Sequence, residues 1–152
     1  FSTLHTNDAP SSITRLQNMG TPNYLISAAL SLIMAQRLAR RNCSECREKD
    51  ENVTPKLLNS IGFLPEQSAR AKIYKGKGCD QCSNTGYKGR MGVYEILEID
   101  KELKQGILSD LSQAELNGIA KKNGFRTMQE MGHDLLLSGD LCFSEFERVL
   151  QS

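Results

Sequence analysis

Two Cys-x-x-Cys pairs constrain the fold of this 152-residue chain more than any other feature. The pairs are Cys43-Ser-Glu-Cys46 and Cys79-Asp-Gln-Cys82, and 32 residues separate them. Each pair can place two thiolates on one tight turn, and two such turns complete the tetrahedron of sulfur ligands that Zn²⁺ prefers. Compact zinc ribbons have about 15–20 residues between their pairs. The longer spacing predicts two knuckles that clamp the base of a small subdomain.

Other interpretations of the cysteines are weaker. No basic segment leads into an apolar one near residue 1, which indicates a cytosolic chain whose thiols stay reduced rather than form disulfides. Redox-active pairs need a thioredoxin-like context that is not visible here, and inert buried cysteines rarely fall in two matched pairs. We therefore predict one structural Zn²⁺ ion held by Cys43, Cys46, Cys79 and Cys82, with no coordination position open to water. The fifth cysteine, Cys142, is predicted to be a small buried apolar residue.

Charge and hydropathy argue against two broad classes of protein. The chain has 19 basic and 18 acidic residues, which argues against a polyanion-binding protein at the level of the whole chain. The longest mostly apolar stretch, residues 24–35, is shorter than the roughly 20 residues of a membrane span. A zinc-dependent nucleic-acid-binding module remains a remote alternative because of one basic cluster: Arg70, Lys72, Lys75, Lys77, Lys88 and Arg90. No aromatic stacking platform accompanies these charges, so a solvated surface is the simpler interpretation.

The residue patterns predict a mixed α/β order of elements. The predicted elements are a buried strand at 1–4, helices at 11–19 and 22–41, a strand at 90–99, and helices at 100–109, 112–123, 127–138 and 143–151. Ser112 with Glu115, and Thr127 with Glu130, match capping boxes at two of the later helices. The zinc ion is expected to hold helix 22–41 against strand 90–99.

Familiar catalytic motifs are missing from the sequence. A phosphate-binding loop needs G-x-x-x-x-G-K-[ST], and the single Gly-Lys pair, Gly76-Lys77, is followed by another glycine. Taken alone, His5 is interpreted as a structural or surface residue, and His133 as a surface residue. The chain begins at Phe1 rather than Met, in what resembles the middle of a strand, so we expect an excised piece of a longer protein. We expect no independent catalytic activity from that piece.

Three segments together resemble one family, the hexameric ATPases of type II secretion and type IV pilus assembly. Residues 2–9, Ser-Thr-Leu-His-Thr-Asn-Asp-Ala, are similar to the histidine box of that family, and residues 26–41 to the helix that precedes its cysteines. Residues 78–95 resemble its tetracysteine signature. Pilus retraction ATPases look similar in the histidine box but lack the four cysteines, which favours assembly over retraction. Residues 57–63 and 74–79 look more like the pilus-assembly branch than the secretion branch.

The resemblance implies a domain organisation and a nucleotide site. The end of a RecA-like ATPase core would occupy residues 1–42, a tetracysteine zinc-binding subdomain 43–99, and a helical C-terminal subdomain 100–152. ATP and Mg²⁺ would be bound in the full-length protein by motifs that precede residue 1. His5 would lie near the terminal phosphate and help couple hydrolysis to domain motion, with Thr6 as a weaker nucleotide-binding candidate. Without the preceding motifs, the piece alone is predicted not to hydrolyse ATP.

The resemblance also implies a biological role and partners. The full-length protein is expected to be a homo-hexamer in the bacterial cytoplasm, associated peripherally with the inner membrane through a platform protein and other assembly components. No nucleic acid partner is expected. ATP hydrolysis would rotate or displace the platform protein so that pilin subunits are added to a type IV pilus. A type II secretion motor shares every motif above and remains the alternative.

Overall fold

The computed structural model describes residues 2–4, 6 and 8–151. The helices in this part of the chain are Ser11–Asn18 (α1), Asn23–Ala29 (α2), Pro55–Ser60 (α3), Pro65–Arg70 (α4), Lys101–Leu108 (α5), Gln113–Lys122 (α6), Met128–Ser138 (α7) and Phe143–Leu150 (α8). The strands are Leu32–Asn42 (β1), Arg47–Lys49 (β2), Tyr74–Gly76 (β3) and Tyr87–Glu98 (β4). β1 pairs with β4, and β2 pairs with β3 in antiparallel register.

These residues group into two compact units, and the boundary between the units falls within β1 and within β4. The first unit contains the chain up to Gln36 together with Tyr94–Met128. The second unit contains Arg37–Val93 and the chain from Gln129 onward. The division into domains at 1–42, 43–99 and 100–152 stays a prediction.

The core of the first unit is apolar and is built largely from helices. α5 begins where the Asp100 carboxylate accepts a hydrogen bond from the Leu103 amide at 2.8 Å. Leu103 and Ile107 lie four positions apart and therefore share one face of α5, which is buried. Both belong to a cluster of buried residues: Ala9, Ile13, Ile26, Leu97, Ile99, Leu103, Ile107, Leu116 and Ala120. Full burial of one Leu or Ile side chain contributes about 1.5–3 kcal/mol, so this cluster accounts for the cohesion of the unit.

One carboxylate is buried inside the first unit. Glu95 lies on β4 and is only 3% exposed. Its Oε1 accepts a hydrogen bond from the Ala9 amide at 2.6 Å, and its Oε2 accepts one from the Met128 amide at 2.8 Å. Because a buried polar group is costly unless it is hydrogen-bonded, these amides account for its tolerance there. Glu95 thereby fastens the residues before α1 and the first residue of α7 to the strand.

The predicted helix at 22–41 is wrong beyond its first third. α2 ends at Ala29, and the following residues form β1 instead. Along β1, Ile33 and Ala35 pack against the core of the first unit, whereas Leu32 and Met34 are exposed. Apolar residues on both faces also satisfy helical spacing, so the period of two that marks a strand is hidden. Pairing with β4 decides the conformation, and the first cysteine pair therefore follows the end of a strand rather than of a helix.

Most other predicted elements are confirmed. α1, α5, α6, α7 and α8 occupy the predicted helices, and β4 contains the predicted strand core at 93–97. The predicted strand at 1–4 is not formed in residues 2–4, which have no regular secondary structure, and Phe1 lies outside the described residues. The strand pairs that are formed do not include residues 2–4, and a strand without a partner leaves its backbone groups unsatisfied.

Short-range signals for helix starts hold well. The Ser112 amide donates to the Glu115 carboxylate at 2.8 Å, and the Glu115 amide donates back to the Ser112 hydroxyl at 3.4 Å, so the predicted capping box of α6 is confirmed. Thr54 caps α3 by accepting a hydrogen bond from the Leu57 amide, and Pro55 follows it at the first helical position. The box at Thr127 and Glu130 stays a prediction.

The predicted surface position of His133 is wrong. This side chain of α7 is half-buried in the second unit. Its ring centroid lies 4.4 Å from that of Phe63 and 5.5 Å from that of Phe146, and its Nε2 atom lies 2.9 Å from the Ile61 carbonyl oxygen. These partners come from elements distant in sequence, so the residues beside His133 do not reveal them.

Candidate metal centre

Four cysteine thiols converge in the second unit. Cys43 and Cys82 are buried, Cys46 and Cys79 are partly exposed, and their Sγ atoms all lie within 4.8 Å of one another. The Sγ–Sγ distances are 3.9 Å for Cys43 to Cys79, 3.9 Å for Cys46 to Cys82 and 3.8 Å for Cys79 to Cys82. Zinc–sulfur bonds of about 2.3 Å in a regular tetrahedron require about 3.8 Å between sulfurs. The cluster can therefore hold a metal ion with little rearrangement.

The first knuckle is the turn between β1 and β2. Cys43 follows the last residue of β1, and its amide donates to the Gly86 carbonyl at 2.9 Å. The Cys46 amide reaches the Cys43 carbonyl at 3.4 Å, which is long for a hydrogen bond that closes a turn. The Lys77 amide donates to the Cys46 carbonyl at 3.0 Å and so joins this knuckle to the strand that leads to the second one.

The second knuckle is a short 3-10 turn, Asp80–Cys82. The chain then passes through two left-handed residues, Ser83 at φ 51° and Asn84 at φ 60°. The Asn84 amide donates to the Cys79 carbonyl at 2.9 Å, which closes the turn on itself. Asparagine tolerates the left-handed region better than most residues, which suits it to this position. The turn directs the Cys79 and Cys82 thiols to the same side.

A close backbone approach joins the two knuckles. A Cβ atom at Gly76 would lie 1.9 Å from the Gly86 carbonyl oxygen, and a Cβ atom at Gly86 would lie 2.6 Å from the Gly76 carbonyl oxygen. Gly86 also has φ +78°, which disfavours any other residue. No side chain fits at either position, so these two glycines are required for the end of β3 to meet the residue that precedes β4.

Backbone amides point at two of the sulfur atoms. The Cys82 Sγ accepts from the amides of Cys79 and Gly86 at 3.2 and 3.3 Å, and the Cys46 Sγ accepts from the Gly78 amide at 3.3 Å. Burial opposes ionisation of Cys82, but the two amides and the neighbouring thiols lower its pKa to about 6. At Cys46 burial prevails over its single amide donor and raises the pKa to about 12. Cys82 is thus ready to ionise near neutral pH, whereas a bound cation would be needed to hold Cys46 as a thiolate.

Three basic side chains that lie near the cysteines in sequence have partners other than the sulfur atoms. Arg41 pairs with Asp140 at 2.9 Å, and Lys49 pairs with Glu51 at 2.8 Å. Arg47 donates to the carbonyl of Ser138 at 3.2 Å. The donors that contact the Cys46 and Cys82 sulfurs are therefore backbone amides. The glycines at positions 78 and 86 are the sequence signal for these donors, which a count of nearby basic side chains does not reveal.

Two further site residues are predicted, His5 and Thr6, and the structure tests neither role. His5 lies outside the described residues, so its predicted catalytic role stays a prediction. The Thr6 hydroxyl lies 2.8 Å from the hydroxyl of Ser12, which is buried at the start of α1. The predicted nucleotide contact of Thr6 also stays a prediction. Cys142 is buried as predicted, and its Sγ lies 3.2 Å from the Tyr87 hydroxyl.

One finding bears on membrane association. Within residues 2–4, 6 and 8–151, none of the helices combines the length and the apolar character that crossing a bilayer requires.

The basic cluster at 70–90 contains an ion pair, in which the Lys75 ammonium lies 3.0 Å from the Asp50 carboxylate.

Comparison with known proteins covers nearly the whole chain. The family described as Type II/IV secretion system protein matches residues 1–148. The Type IV pilus assembly ATPase PilB of Thermus thermophilus is 41% identical over 145 residues, which cover 95% of this chain and 16% of that protein. PilB of Myxococcus xanthus is 38% identical over 145 residues, covering 95% of this chain and 26% of the relative. The type II secretion system protein HxcR of Pseudomonas aeruginosa is 32% identical over 149 residues, which cover 98% of this chain and 28% of that protein. The chain thus spans 16–28% of the length of these relatives.

Proposed function

We propose that this chain, which belongs to the Type II/IV secretion system protein family, is part of a motor ATPase that powers type IV pilus assembly. The family match over residues 1–148 is the observation that carries the proposal. The two relatives named as pilus assembly ATPases share a larger fraction of identical residues with the chain than the secretion relative does, which favours the pilus branch.

In this proposal the nucleotide chemistry is shared with residues outside the chain. The 152 residues contain no phosphate-binding loop, so ATP and Mg²⁺ are held elsewhere in the whole protein. His5 and Thr6 come from the segment that resembles a histidine box, and they position the terminal phosphate electrostatically, which is the main catalytic resource in phosphoryl transfer. The working form is a homo-hexamer on the cytoplasmic face of the inner membrane, and its partner is a membrane platform protein.

The cysteine cluster is proposed to hold a structural Zn²⁺ ion. Four sulfur ligands in a tetrahedron leave no position for water or substrate, so the ion would stabilise the fold rather than act on a substrate. The Sγ–Sγ distances of 3.8 and 3.9 Å support this assignment. Binding would add folding free energy directly, because the unfolded chain has no preformed site.

The motor activity is tested by ATP hydrolysis in the longer protein that contains this chain. We expect turnover by that protein, a loss of about 10²–10³-fold in kcat for His5→Ala, and no turnover by the 152-residue chain alone. Lys101→Ala, at an exposed position of α5, is the matched control and should keep full activity. ATP turnover by the isolated chain, or full activity of the His5 variant, would contradict the proposed division of roles.

The metal assignment is tested by metal content and thiol counts on the chain purified under reducing conditions. We expect about one zinc per chain. Four thiols should become reactive only after unfolding with a chelator, and Cys142→Ser should leave the zinc content unchanged. A folded chain without zinc, in which the paired cysteines react freely, would exclude the structural zinc site.

A type II secretion motor is the second candidate, because the secretion relative covers the same region. Genetic complementation separates the two: the intact gene should restore pili to a strain that lacks its pilus assembly ATPase. Restoration of protein secretion to a strain that lacks its type II secretion ATPase, without restoration of pili in the first strain, would instead assign the secretion role. The nucleic-acid-binding alternative predicts an affinity that falls steeply with salt, and we expect no such binding.

A further inference from the structure

The loop between α7 and α8 is tied to the residue that precedes the first cysteine. Asn42 is the last residue of β1 and is 4% exposed. Its amide donates to the Asp140 carbonyl at 2.8 Å, and its side-chain Nδ2 donates to the Gly139 carbonyl at 3.0 Å. The same Nδ2 also donates to the Tyr74 carbonyl on β3 at 3.1 Å. One buried amide side chain therefore joins β1, β3 and the α7–α8 loop beside a metal-ligand position.

Two arginines on either side of the first knuckle contact the same loop. Arg41 directs its Nε and Nη2 atoms to one Asp140 carboxylate oxygen, at 3.0 and 2.9 Å. Arg47, the residue after Cys46, donates to the carbonyl of Ser138 at 3.2 Å. The residues that hold the loop thus immediately precede Cys43 or immediately follow Cys46. Their spacing is set by the knuckle that those two cysteines close.

The loop has little freedom to shift without breaking these contacts. Gly139 has φ +77°, and a Cβ atom there would lie 2.9 Å from the Tyr74 ring and 3.2 Å from the Arg47 guanidinium. The Arg47 guanidinium also lies 5.8 Å from the Tyr74 ring centroid, within cation–π range. The glycine allows the loop to lie directly against β2 and β3, which bring the two knuckles together.

The segment between the knuckles reaches α7 through a second set of contacts. His133 of α7 lies against Phe63 and its Nε2 lies 2.9 Å from the Ile61 carbonyl, and both partners belong to the connection between α3 and α4. On its other side the His133 ring stacks on Phe146 of α8 at 5.5 Å. The pair formed by α7 and α8 therefore contacts both the flanks of the first knuckle and the segment that the two knuckles enclose.

From these contacts we propose that metal binding at the four cysteines controls the docking of the α7–α8 pair, with Asn42 as the residue that transmits the effect. The argument rests on the proposed zinc site. The Cys46-to-Cys43 hydrogen bond, at 3.4 Å, closes the first knuckle weakly, and a metal bound to both thiols would fix the separation of its two ends. Fixing the first knuckle aligns the donors of residues 41, 42 and 47 with the loop. Releasing the metal lets these donors separate and loosens the helix pair.

Thermodynamic linkage makes the proposal measurable in two directions. If bound zinc favours the docked helix pair, the docked pair must favour zinc binding by the same factor. A variant that breaks the contact with the loop should therefore weaken zinc binding without removing any ligand. Coupling factors of this kind are typically about 5–150-fold.

The test is hydrogen–deuterium exchange of the whole 152-residue chain with zinc bound and after removal by a chelator, with exchange in α7 and α8 compared with that in α5 and α6. We expect zinc removal to raise exchange in α7 and α8 by about tenfold or more, with little change in α5 and α6. Asn42→Ala with zinc bound should raise exchange in α7 and α8 and lower the zinc affinity by about tenfold in a chelator competition. Asn123→Ala removes an exposed asparagine that bonds Asp100 and Glu102 in the first unit, so it should change neither quantity.

Arg47→Gln serves if the Asn42 variant does not fold, because it removes an exposed hydrogen bond to the loop and the contact with the Tyr74 ring but no buried side chain. It should raise exchange in α7 and α8 and lower the zinc affinity, both by a smaller factor than Asn42→Ala does. A chain that binds one zinc but shows equal exchange in α7 and α8 with and without it would overturn the proposal and leave the zinc site standing. Unchanged zinc affinity in both variants would overturn it as well. A chain that binds no zinc would remove the zinc site together with this inference.

Discussion

Each of the two units of this protein is stabilised internally by a different set of interactions. The first unit surrounds a buried cluster of aliphatic side chains from α1, α2, α5, α6 and β4. Both units also bury polar groups: Ser12, Ser27 and Glu95 in the first, and Asn42, Ser68 and a fully buried Glu145 in the second. Among the described residues, the second unit alone adds a cluster of four cysteines, of which Cys43 and Cys82 are buried. An apolar core tolerates gradual change, whereas buried polar groups must be satisfied by named partners in fixed positions. The second unit should therefore respond more sharply to metal, pH and single backbone changes.

A pair of buried glutamates illustrates the difference. Glu95 in the first unit accepts hydrogen bonds from two backbone amides. Glu145 in the second unit accepts from the guanidinium groups of Arg40 and Arg148 and from the Arg40 amide. Burial opposes its charge, but the two arginines and the amide lower the pKa of Glu145 to about 2. The first unit uses its carboxylate to fasten backbone segments, and the second uses its carboxylate as the centre of a charge cluster.

The largest expected effect is that of Gly76→Ala on the second unit. The added Cβ would lie 1.9 Å from the Gly86 carbonyl oxygen, so the segments that bring the knuckles together must separate. We expect a loss of about 4 kcal/mol or more in the free energy of unfolding, at the upper end of single-substitution effects. Zinc binding should be lost as well. The measurement is a denaturant titration together with zinc content.

Gly118→Ala is the matched control for that substitution. Gly118 lies within α6 of the first unit, and a Cβ atom there meets nothing within 4 Å. Replacing a helical glycine with alanine stabilises a helix by about 0.5–1 kcal/mol. Equal destabilisation by the two substitutions would show that the second unit is no more sensitive than the first to a side chain added at a glycine.

Ile107→Ala tests the apolar side of the comparison. Ile107 is fully buried in the core of the first unit. Removing its side chain should lower the free energy of unfolding by about 2–5 kcal/mol through lost burial and a residual cavity. Zinc affinity of the second unit should stay within error of the unmodified chain. A clear loss of zinc affinity would mean that the units do not respond separately.

Sequence patterns predicted the local features of both units and missed the pairing partners. The helix starts at Asp100 and Ser112 depend on contacts three residues apart, so a short window contains the necessary information. The four cysteines were found because the Cys-x-x-Cys spacing is itself a local geometric constraint. β1 was mistaken for a helix because its partner, β4, lies about 50 residues away.

Contacts between distant segments also explain why the sequence does not reveal the roles of Asn42 and His133. Asn42 binds Gly139 and Asp140, nearly 100 residues further along the chain, and nothing in its sequence neighbourhood marks it. His133 contacts Phe63 from the segment between the cysteine pairs. Such residues are recognised only when the fold brings distant segments together, whereas metal ligands carry their own chemical signature.

Glu145 provides the expected pH response of the second unit. Because its pKa in the folded chain is about 2, below the ordinary value of 4.5, its contribution is fully present above pH 4.5 and is lost as the pH falls toward 2. The contribution is at most about 3 kcal/mol. We expect Glu145→Gln to destabilise the chain at pH 7 and to approach the unmodified chain only as the pH falls toward 2. Urea titrations of both proteins across this range measure the difference, and metal loss in acid affects both alike. A constant difference across the range would exclude the charge cluster as its source.

The smallest expected effect is that of Ser112→Ala on the first unit. Ser112 and Glu115 form a reciprocal cap, and the Ser112 hydroxyl and amide lower the pKa of Glu115 by hydrogen bonding to its carboxylate. Losing the cap should cost about 1 kcal/mol, because one helical amide then loses its partner. Exchange in the first turn of α6 should rise, while zinc affinity should not change. Ser109→Ala is the control, since Ser109 lies at the C-terminal end of α5 and caps no helix start. Equal effects of the two substitutions would contradict the capping role, and a change in zinc affinity would contradict the separation of the two units.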